Sequence, residues 1–325
     1  MGTPVNGAAL AMALLLGTVS SAGAQQRHAL IVVGASGGQE YAQQYSKWTG
    51  ELTAVLASQM KIDSASITVL SDTPAADTAA TATNVGKALE RLRDSVGRDD
   101  LLLIVLIGHG TFDGVDAKFN LVGPDLESAA WAELVASIRG RVVFVNTTSA
   151  SFPFIERLAG PRRVVITATD SAAQRFDTVF PEYFIKAFQE DASDVDKNRR
   201  VSIWEAFTAA AAGVRRHYQQ RGQLATERPL LDDNGDGVGK DAVDPGEDGA
   251  NASRIYLDDA PEDAAPTDPD LVRLLQRRSA LESSVEELRI RRTFMPPTEY
   301  AREFEKLMIE LAVVSREVRK RTGGS

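Results

Sequence analysis

The chain has 325 residues, of which 43% are hydrophobic and 25% charged, and its formal net charge is −9. This length suits about two soluble domains. The negative charge, with no basic face ahead of the C-terminal tail, argues against nucleic-acid binding. The chain has no cysteine, which excludes a thiol nucleophile and a thiolate metal site.

The first 24 residues are typical of an export signal. An apolar stretch over 8–16 is too short to cross a bilayer, and an A-x-A cleavage motif follows it at 22–24. We therefore expect a mature protein that is periplasmic or secreted, with no membrane segment. A disordered or anchoring leader is the alternative, because no Lys or Arg precedes the apolar stretch.

Between residues 27 and 220, short apolar runs alternate with amphipathic segments. The apolar runs predict strands over 28–36, 66–70, 101–107, 141–145 and 163–168. Helical spacing of apolar residues predicts helices over 39–60, 84–96 (with Asn84 as N-cap), 131–138, 154–158, 181–189 and 204–218. This alternation indicates an α/β fold with a mostly parallel sheet, whose functional crevice lies at the carboxyl ends of the strands.

Two of these strand ends carry candidate site residues. The strand over 101–107 leads into Gly108-His109-Gly110, which holds one of only three histidines in the chain. The glycines would let backbone and substrate approach closely. A structural turn histidine is the alternative. The strand over 141–145 leads into the hydroxyl-rich turn T-T-S-A-S at 147–151.

This order of a strand, His109-Gly110, a second strand, a Ser/Thr turn and a VVITAT strand resembles the caspase–legumain clan of cysteine peptidases, and its bacterial legumain-like branch in particular. The resemblance covers roughly residues 27–220. It implies a caspase-like three-layer sandwich over 25–245. In that clan the nucleophilic cysteine follows the second strand. Aligned by T-S-A-S, its position holds Ser149, or Thr148 under a one-residue shift.

A hydroxyl in place of the thiol changes the expected chemistry. A serine needs a general base and usually a third group that orients that base. Asp113 and Asp116 could orient His109, although a solvated loop would also explain them. Phe152 stands where the family has a glycine and could obstruct the amides that hold an oxyanion. The interpretation we favour is a degenerate peptidase that binds a peptide or protein; the alternative is a hydrolase using Ser149 with His109.

Residues 194–205, DVDKNRRVSIWE, match most ligand positions of an EF-hand loop. The predicted calcium ligands are Asp194, Asp196, Asn198, Ser202 and Glu205, with the backbone carbonyl of Arg200. The departure is Arg199, where a glycine is usual. A capping box of Ser202 and Glu205 is the alternative reading. A calcium-controlled interaction module is therefore a third hypothesis for function.

A second acidic segment, DDNGDG over 232–237, begins like a calcium loop, but Val243 stands where the closing glutamate belongs. It is either a partial calcium site or an acidic turn.

The C-terminal part of the chain predicts a linker and two helices. Residues 246–268 are rich in Asp, Pro, Ala and Gly, which favours an extended linker. Apolar residues at helical spacing on both sides of Pro296-Pro297 predict an α-helical hairpin over 269–322. The hairpin would pack on the main domain, self-associate or bind a partner.

Overall fold

The computed structural model describes residues 25–72, 75–259, 270–271, 273–274, 277–278, 281, 284–285, 288 and 295–321. The predicted export signal and residues 260–268 of the predicted linker lie outside the described residues. The chain divides into two compact units between Asp258 and Asp259. Within the described ranges, no helix combines the length and the apolar character needed to cross a membrane.

The first unit contains a six-stranded central sheet and a separate three-stranded sheet. The strands are β1 (Arg27–Val33), β2 (Ile67–Leu70), β3 (Leu101–Ile107), β4 (Gly110–Phe112), β5 (Ala117–Phe119), β6 (Leu126–Glu127), β7 (Arg141–Asn146), β8 (Arg163–Thr167) and β9 (Leu230–Asp232). The central sheet has the order β2-β1-β3-β7-β8-β9. Its pairings are parallel except that of β8 with β9, which is antiparallel.

Helices cover both faces of the central sheet. They are α1 (Gln39–Ala54), α2 (Ala82–Ser95), α3 (Ser128–Ala136), α4 (Pro153–Leu158), α5 (Phe180–Ala187) and α6 (Ile203–Gln220). Shorter helical turns lie at Val55–Gln59, Ser64–Ser66, Asp191–Ser193 and Ala252–Arg254. One core packs α1, α5 and α6 on the sheet, and the other packs α2, α3 and α4.

Strand β3 explains why the fold could be predicted from apolar runs. Its alternate residues enter the two opposite cores, so every position of LLLIVLI is buried. A strand that is buried on both faces is expected to be apolar without a break. The predicted α/β architecture with a mostly parallel sheet is confirmed.

Some elements differ from the prediction. The small antiparallel sheet of β4, β5 and β6, directly after His109, was not predicted, nor was β9. Helix α2 begins earlier than predicted, because Thr81 accepts from the amide of Asn84 and is the N-cap. The side chain of Asn84 instead donates to the carbonyls of Ala76 and Ala79.

The predicted linker differs from the structure over residues 246–258, which belong to the first unit. Ala252, Ile255 and Leu257 are buried there, and the amide of Ile203 donates to the carbonyl of Ile255. These few apolar residues, spaced among polar ones, are enough to attach the segment to α6.

The second unit is helical wherever residues 270–288 are described, and it contains the helix Pro297–Arg321. Leu281, Val285, Leu288 and Val318 are buried. Arg277 pairs with Glu310 at 2.8 Å, and Arg321 pairs with Asp270 at 3.4 Å. These two ion pairs require the segments to run in opposite directions, as in a hairpin.

Candidate functional site

The segments that carry His109 and Ser149 meet at the carboxyl edge of the central sheet. Strands β3 and β7 are parallel neighbours, with Leu106 opposite Asn146. The hydroxyl of Ser149 donates to the carbonyl of Gly110 at 2.9 Å and accepts from its amide at 3.3 Å. A Cβ on Gly110 would lie 2.1 Å from the carbonyl oxygen of Ser149. Only a glycine allows this approach, which gives the second glycine of the GHG motif a packing role.

The imidazole of His109 is held through both ring nitrogens. Nε2 lies 3.0 Å from the hydroxyl of Tyr45 and 3.2 Å from the carbonyl oxygen of Ser36. Nδ1 lies 3.5 Å from Oδ1 of Asp177. Two protonation states of the ring fit these partners. Either Tyr45 donates to a neutral Nε2 while Nδ1–H faces Asp177, or a protonated ring donates at both nitrogens.

Asp177 lies in the loop between β8 and α5, and it links His109 to a second tyrosine. Its Oδ2 accepts from the hydroxyl of Tyr41 at 2.6 Å, and this hydrogen bond raises the pKa of Tyr41. The rings of Tyr41 and His109 are edge to face, with centroids 4.6 Å apart. Asp177, Tyr41 and Tyr45 therefore orient the imidazole.

Asp113 and Asp116, which the sequence offered as possible orienters of the imidazole or as part of a solvated loop, lie in the turn between β4 and β5. Asp113 accepts from the amides of Val115 and Asp116 and pairs with Lys118 at 2.8 Å. These partners, led by the Asp116 amide, hold the pKa of Asp113 well below its usual range. Asp177 also follows a parallel strand, β8, and so lies at the edge where functional residues are expected. The loop after β8 is too long for that expectation to single out one residue.

Among the described residues, the hydroxyl of Ser149 is hydrogen-bonded to backbone groups and not to a side-chain base. Ser149 is 7% exposed, and its proton is directed at the Gly110 carbonyl, which cannot accept a proton at ordinary pH. Within the part of the chain that the structure describes, no hydrogen bond joins a ring nitrogen of His109 to Ser149 or Thr148. The nucleophile–base contact that activates a serine is therefore missing from this geometry.

Thr148, the shifted alternative, is fully buried. Its hydroxyl donates within the turn, with Oδ1 of Asn146 at 2.8 Å and the carbonyl oxygen of Ser149 at 3.0 Å. In this geometry Thr148 has no access to solvent, and its hydroxyl is held within the turn.

The amide that follows Ser149 is also engaged. Ala150 adopts a left-handed backbone with φ 50°, and its amide donates to the carbonyl of Gln174 at 3.0 Å. An oxyanion could use this donor only after Gln174 moved away. Phe152, the residue expected to obstruct this region, is half-buried at the start of α4 and packs on the core. The amide of Ala150 is therefore withheld from an oxyanion by its own hydrogen bond to Gln174, and not by the side chain of Phe152.

The loop over 194–205 brings three of the predicted ligands together. Carboxylate oxygens of Asp194, Asp196 and Glu205 lie within 4.8 Å of one another. Such an oxygen set fits a hard cation such as calcium. Arg199 takes the left-handed backbone expected of the glycine it replaces, with φ 68°. Calcium at this loop stays a prediction of the sequence.

The side chains of the predicted ligands Asn198, Ser202 and Glu205 also have partners within the protein. Ser202 and Glu205 form the capping box of α6, with both of its hydrogen bonds present. The side chain of Asn198 donates to the hydroxyl of Tyr256. The guanidinium of Arg200 packs over the ring of Tyr256 and pairs with Asp258, contacts that leave its backbone carbonyl, the predicted ligand, unaffected. The capping box and a carboxylate cluster thus coexist, because Glu205 takes part in both.

Comparison with known proteins gives distant similarities to solved structures. No model of a known protein family matches the chain, and no curated protein matches it. Among solved structures it is similar to protein GSU0716 from Geobacter sulfurreducens, at 15% identity and a TM-score of 0.40 over 64% of this chain and 93% of that one. It is also similar to caspase-1 from Spodoptera frugiperda, at 10% identity and a TM-score of 0.41 over 64% of this chain and 86% of that one. The function proposed below therefore depends on the geometry of the site.

Proposed function

We propose that this chain is a caspase- or legumain-like peptidase-fold protein that has lost catalysis and binds a peptide or protein segment at the carboxyl edge of its central sheet. What supports the kinship is the order of elements: His109 follows β3, Ser149 follows the neighbouring strand β7, and β8 comes next. The motifs on which the resemblance to the caspase–legumain clan depends follow one another in this same order.

The loss of catalysis is carried by one observation, the hydrogen bond from the Ser149 hydroxyl to the Gly110 carbonyl. General-base catalysis requires this proton to face an imidazole nitrogen. Here Nε2 of His109 instead faces Tyr45 and Ser36, and Nδ1 faces Asp177. The hydroxyl and the imidazole each have a full set of partners elsewhere.

Binding at this edge is supported by side chains that remain available in the loop after β8. Phe176 is 65% exposed and directly precedes Asp177, whose carboxylate is also largely exposed. Tyr41 adds a half-buried ring from α1. Exposed aromatic groups beside an acid suit a peptide segment that offers an apolar and a basic side chain.

A fluorophosphonate probe tests the loss of catalysis. It reacts with activated serines, so we expect the wild type to be labelled no more than a Ser149→Ala variant. Labelling that disappears in Ser149→Ala would instead establish a serine hydrolase. That alternative has one contact in its favour, the Gly110 amide on the Ser149 oxygen, which would stabilise developing negative charge.

Selection from a random peptide display library tests binding. A selected peptide should bind the wild type and Ser149→Ala about equally, because the serine is buried. Phe176→Asp should weaken binding by roughly tenfold, since it removes an exposed aromatic contact. Leu224→Asp is the matched control, because Leu224 is 91% exposed and lies between α6 and β9. Equal binding by both Asp variants would place the peptide elsewhere and contradict the proposal.

A further inference from the structure

The DDNGDG segment forms a compact loop that starts at the last residue of β9. The carboxylate of Asp232 accepts from the amides of Gly235 at 2.9 Å and Gly237 at 2.6 Å. Oδ1 of Asn234 accepts from the amide of Asp236 at 2.8 Å. The two glycines have φ of 83° and 77°, which a side chain would disfavour. The loop therefore wraps around the oxygens of its first and third residues.

Asp248 closes this loop from outside the motif. Its Oδ1 accepts from the amides of Asp233 at 3.0 Å and Asn234 at 3.3 Å, the second and third residues of the loop.

Glu205 makes the same pair of contacts in the first acidic loop. Its Oε1 accepts from the amides of Val195 at 2.9 Å and Asp196 at 3.3 Å, again the second and third loop residues. Asp248 thus takes the structural place of the glutamate that is missing at Val243, whose side chain is 72% exposed.

The other oxygen of Asp248 is buried without a hydrogen-bond partner, and so is Oδ1 of Asp233. Asp248 is 6% exposed, Asp233 5% and Asp232 0%. Because one oxygen of Asp248 is fixed on two loop amides, its unpartnered oxygen is held beside the loop.

The carboxylates of this loop also lack a cationic partner. Among the described residues, no Lys, Arg or His forms an ion pair with Asp232, Asp233 or Asp248. Buried carboxylates need a counter-charge, which a proton or a cation can supply.

We infer that the loop over 232–237, closed by Asp248, binds a calcium ion. The ligands would be the oxygens of Asp232, Asn234 and Asp236 with the unpartnered oxygen of Asp248. This mixed carboxylate and amide set suits calcium, which takes several oxygen ligands in flexible geometry. The ion supplies the charge that the buried carboxylates lack, and it ties β9 to the segment around Asp248.

Calorimetric titration with calcium chloride tests this site in a Glu205→Gln background, which weakens the first loop. We expect the Glu205→Gln protein to bind about one calcium ion. Adding Asp248→Asn should weaken binding by roughly tenfold or more, because a ligand loses its charge. Glu247→Gln is the matched control, since it removes the same charge from an exposed neighbour and should change little.

The inference would be overturned by the absence of calcium binding to folded Glu205→Gln protein, or by equal affinity with and without Asp248→Asn. Circular dichroism establishes folding in each case. If the Asp248 variant does not fold, Asp236→Asn replaces it, because Asp236 is exposed and its loss should weaken binding in the same way. Calcium should also raise the melting temperature of Glu205→Gln, and unchanged melting would contradict the site.

Discussion

The hydroxyl of Tyr45 lies 3.0 Å from Nε2 of His109, on one of the two nitrogens that a serine nucleophile could use. Tyr45 is 4% exposed, and burial is the main cause that raises its pKa far above the usual value. The phenol therefore stays protonated and can donate to the ring. In the neutral ring, Nε2 of His109 thus accepts from the Tyr45 hydroxyl.

Tyr45→Phe tests whether this contact is structural. We expect the free energy of unfolding to fall by about 1 kcal/mol, the usual net value of one hydrogen bond, in urea denaturation. Fluorophosphonate labelling should stay at the level of Ser149→Ala, because the Ser149 proton remains on Gly110. A gain of Ser149 labelling would instead identify Tyr45 as the group that blocks catalysis.

Asp177→Asn should lower the pKa of Tyr41. The hydrogen bond to a negative carboxylate is the main cause that favours the protonated phenol, so removing the charge makes deprotonation easier. Ultraviolet absorbance of tyrosinate during an alkaline titration measures the change. Asp113→Asn is the control, because Asp113 pairs with Lys118 and should leave the titration unchanged. Equal curves for wild type and Asp177→Asn would contradict the assigned contact.

Gly110→Ala should destabilise the fold by about 3 kcal/mol, because its Cβ would meet the Ser149 carbonyl at 2.1 Å and Thr148 Oγ1 at 2.5 Å. Relief requires the two strand-end segments to move apart. Gly50→Ala is the control, since a Cβ there meets nothing within 4 Å and the position is helical. That variant should gain up to about 1 kcal/mol. Equal melting temperatures for the two variants would contradict the close approach at Gly110.

Glu227 should make stability depend on pH. It is 3% exposed, and burial raises its pKa from 4.5 to about 7, against the amides of Val179 and Phe180 that favour its ionised form. A carboxyl group whose pKa is raised by folding contributes its full stabilisation at pH values below its pKa in the unfolded protein. This contribution is lost as the pH rises from 4.5 through 7.

Glu227→Gln should remove this dependence, which amounts to about 3 kcal/mol for a shift of that size. Urea denaturation below pH 4.5 and above pH 7 measures it in wild type and variant. Burial also raises the pKa of Asp248, but both proteins retain Asp248, so the difference between the two proteins isolates Glu227. Parallel curves for both proteins would contradict the buried, proton-binding state of Glu227.

Calcium binding at the first acidic loop, residues 194–205, is tested in the Asp248→Asn protein, in which the second loop is weakened. The Asp248→Asn protein should still bind calcium through Asp194, Asp196 and Glu205, because their oxygens already lie within 4.8 Å of one another. Calorimetry should show this binding lost on adding Glu205→Gln. Equal calcium affinity with and without Glu205→Gln would show that Glu205 acts only in the capping box of α6.

The sequence predicted the parts of the fold that follow from burial pattern. LLLIVLI is apolar throughout because both faces of β3 are covered, and its end had to lie at the edge where Ser149 also lies. Strand β9 was missed because it pairs over only three residues and leads into a polar loop. Its pattern is too short to be told from an irregular segment.

The orientation of the site groups could not be predicted. The strand ends set which backbone segments meet, but the partner of His109 depends on how the loop after β8 folds back toward α1. The two Asp residues nearest in sequence to His109 are less relevant than Asp177, since hydrogen bonds inside the hairpin hold Asp113. Likewise, the two hydrogen bonds between the Ser149 hydroxyl and the backbone of Gly110 depend on the distance between the two strand ends, which the sheet register fixes.

The register of the central strands also has a consequence for folding. His109 and Ser149 are brought together by pairing between β3 and β7, and β3 is itself paired with β1 from the start of the domain. Such pairings between distant parts of the chain form slowly, since loop closure precedes any gain from contact. A fragment that carries only one of these two strands therefore lacks the contact between Gly110 and Ser149. We expect that contact to form late, once the middle of the sheet has assembled.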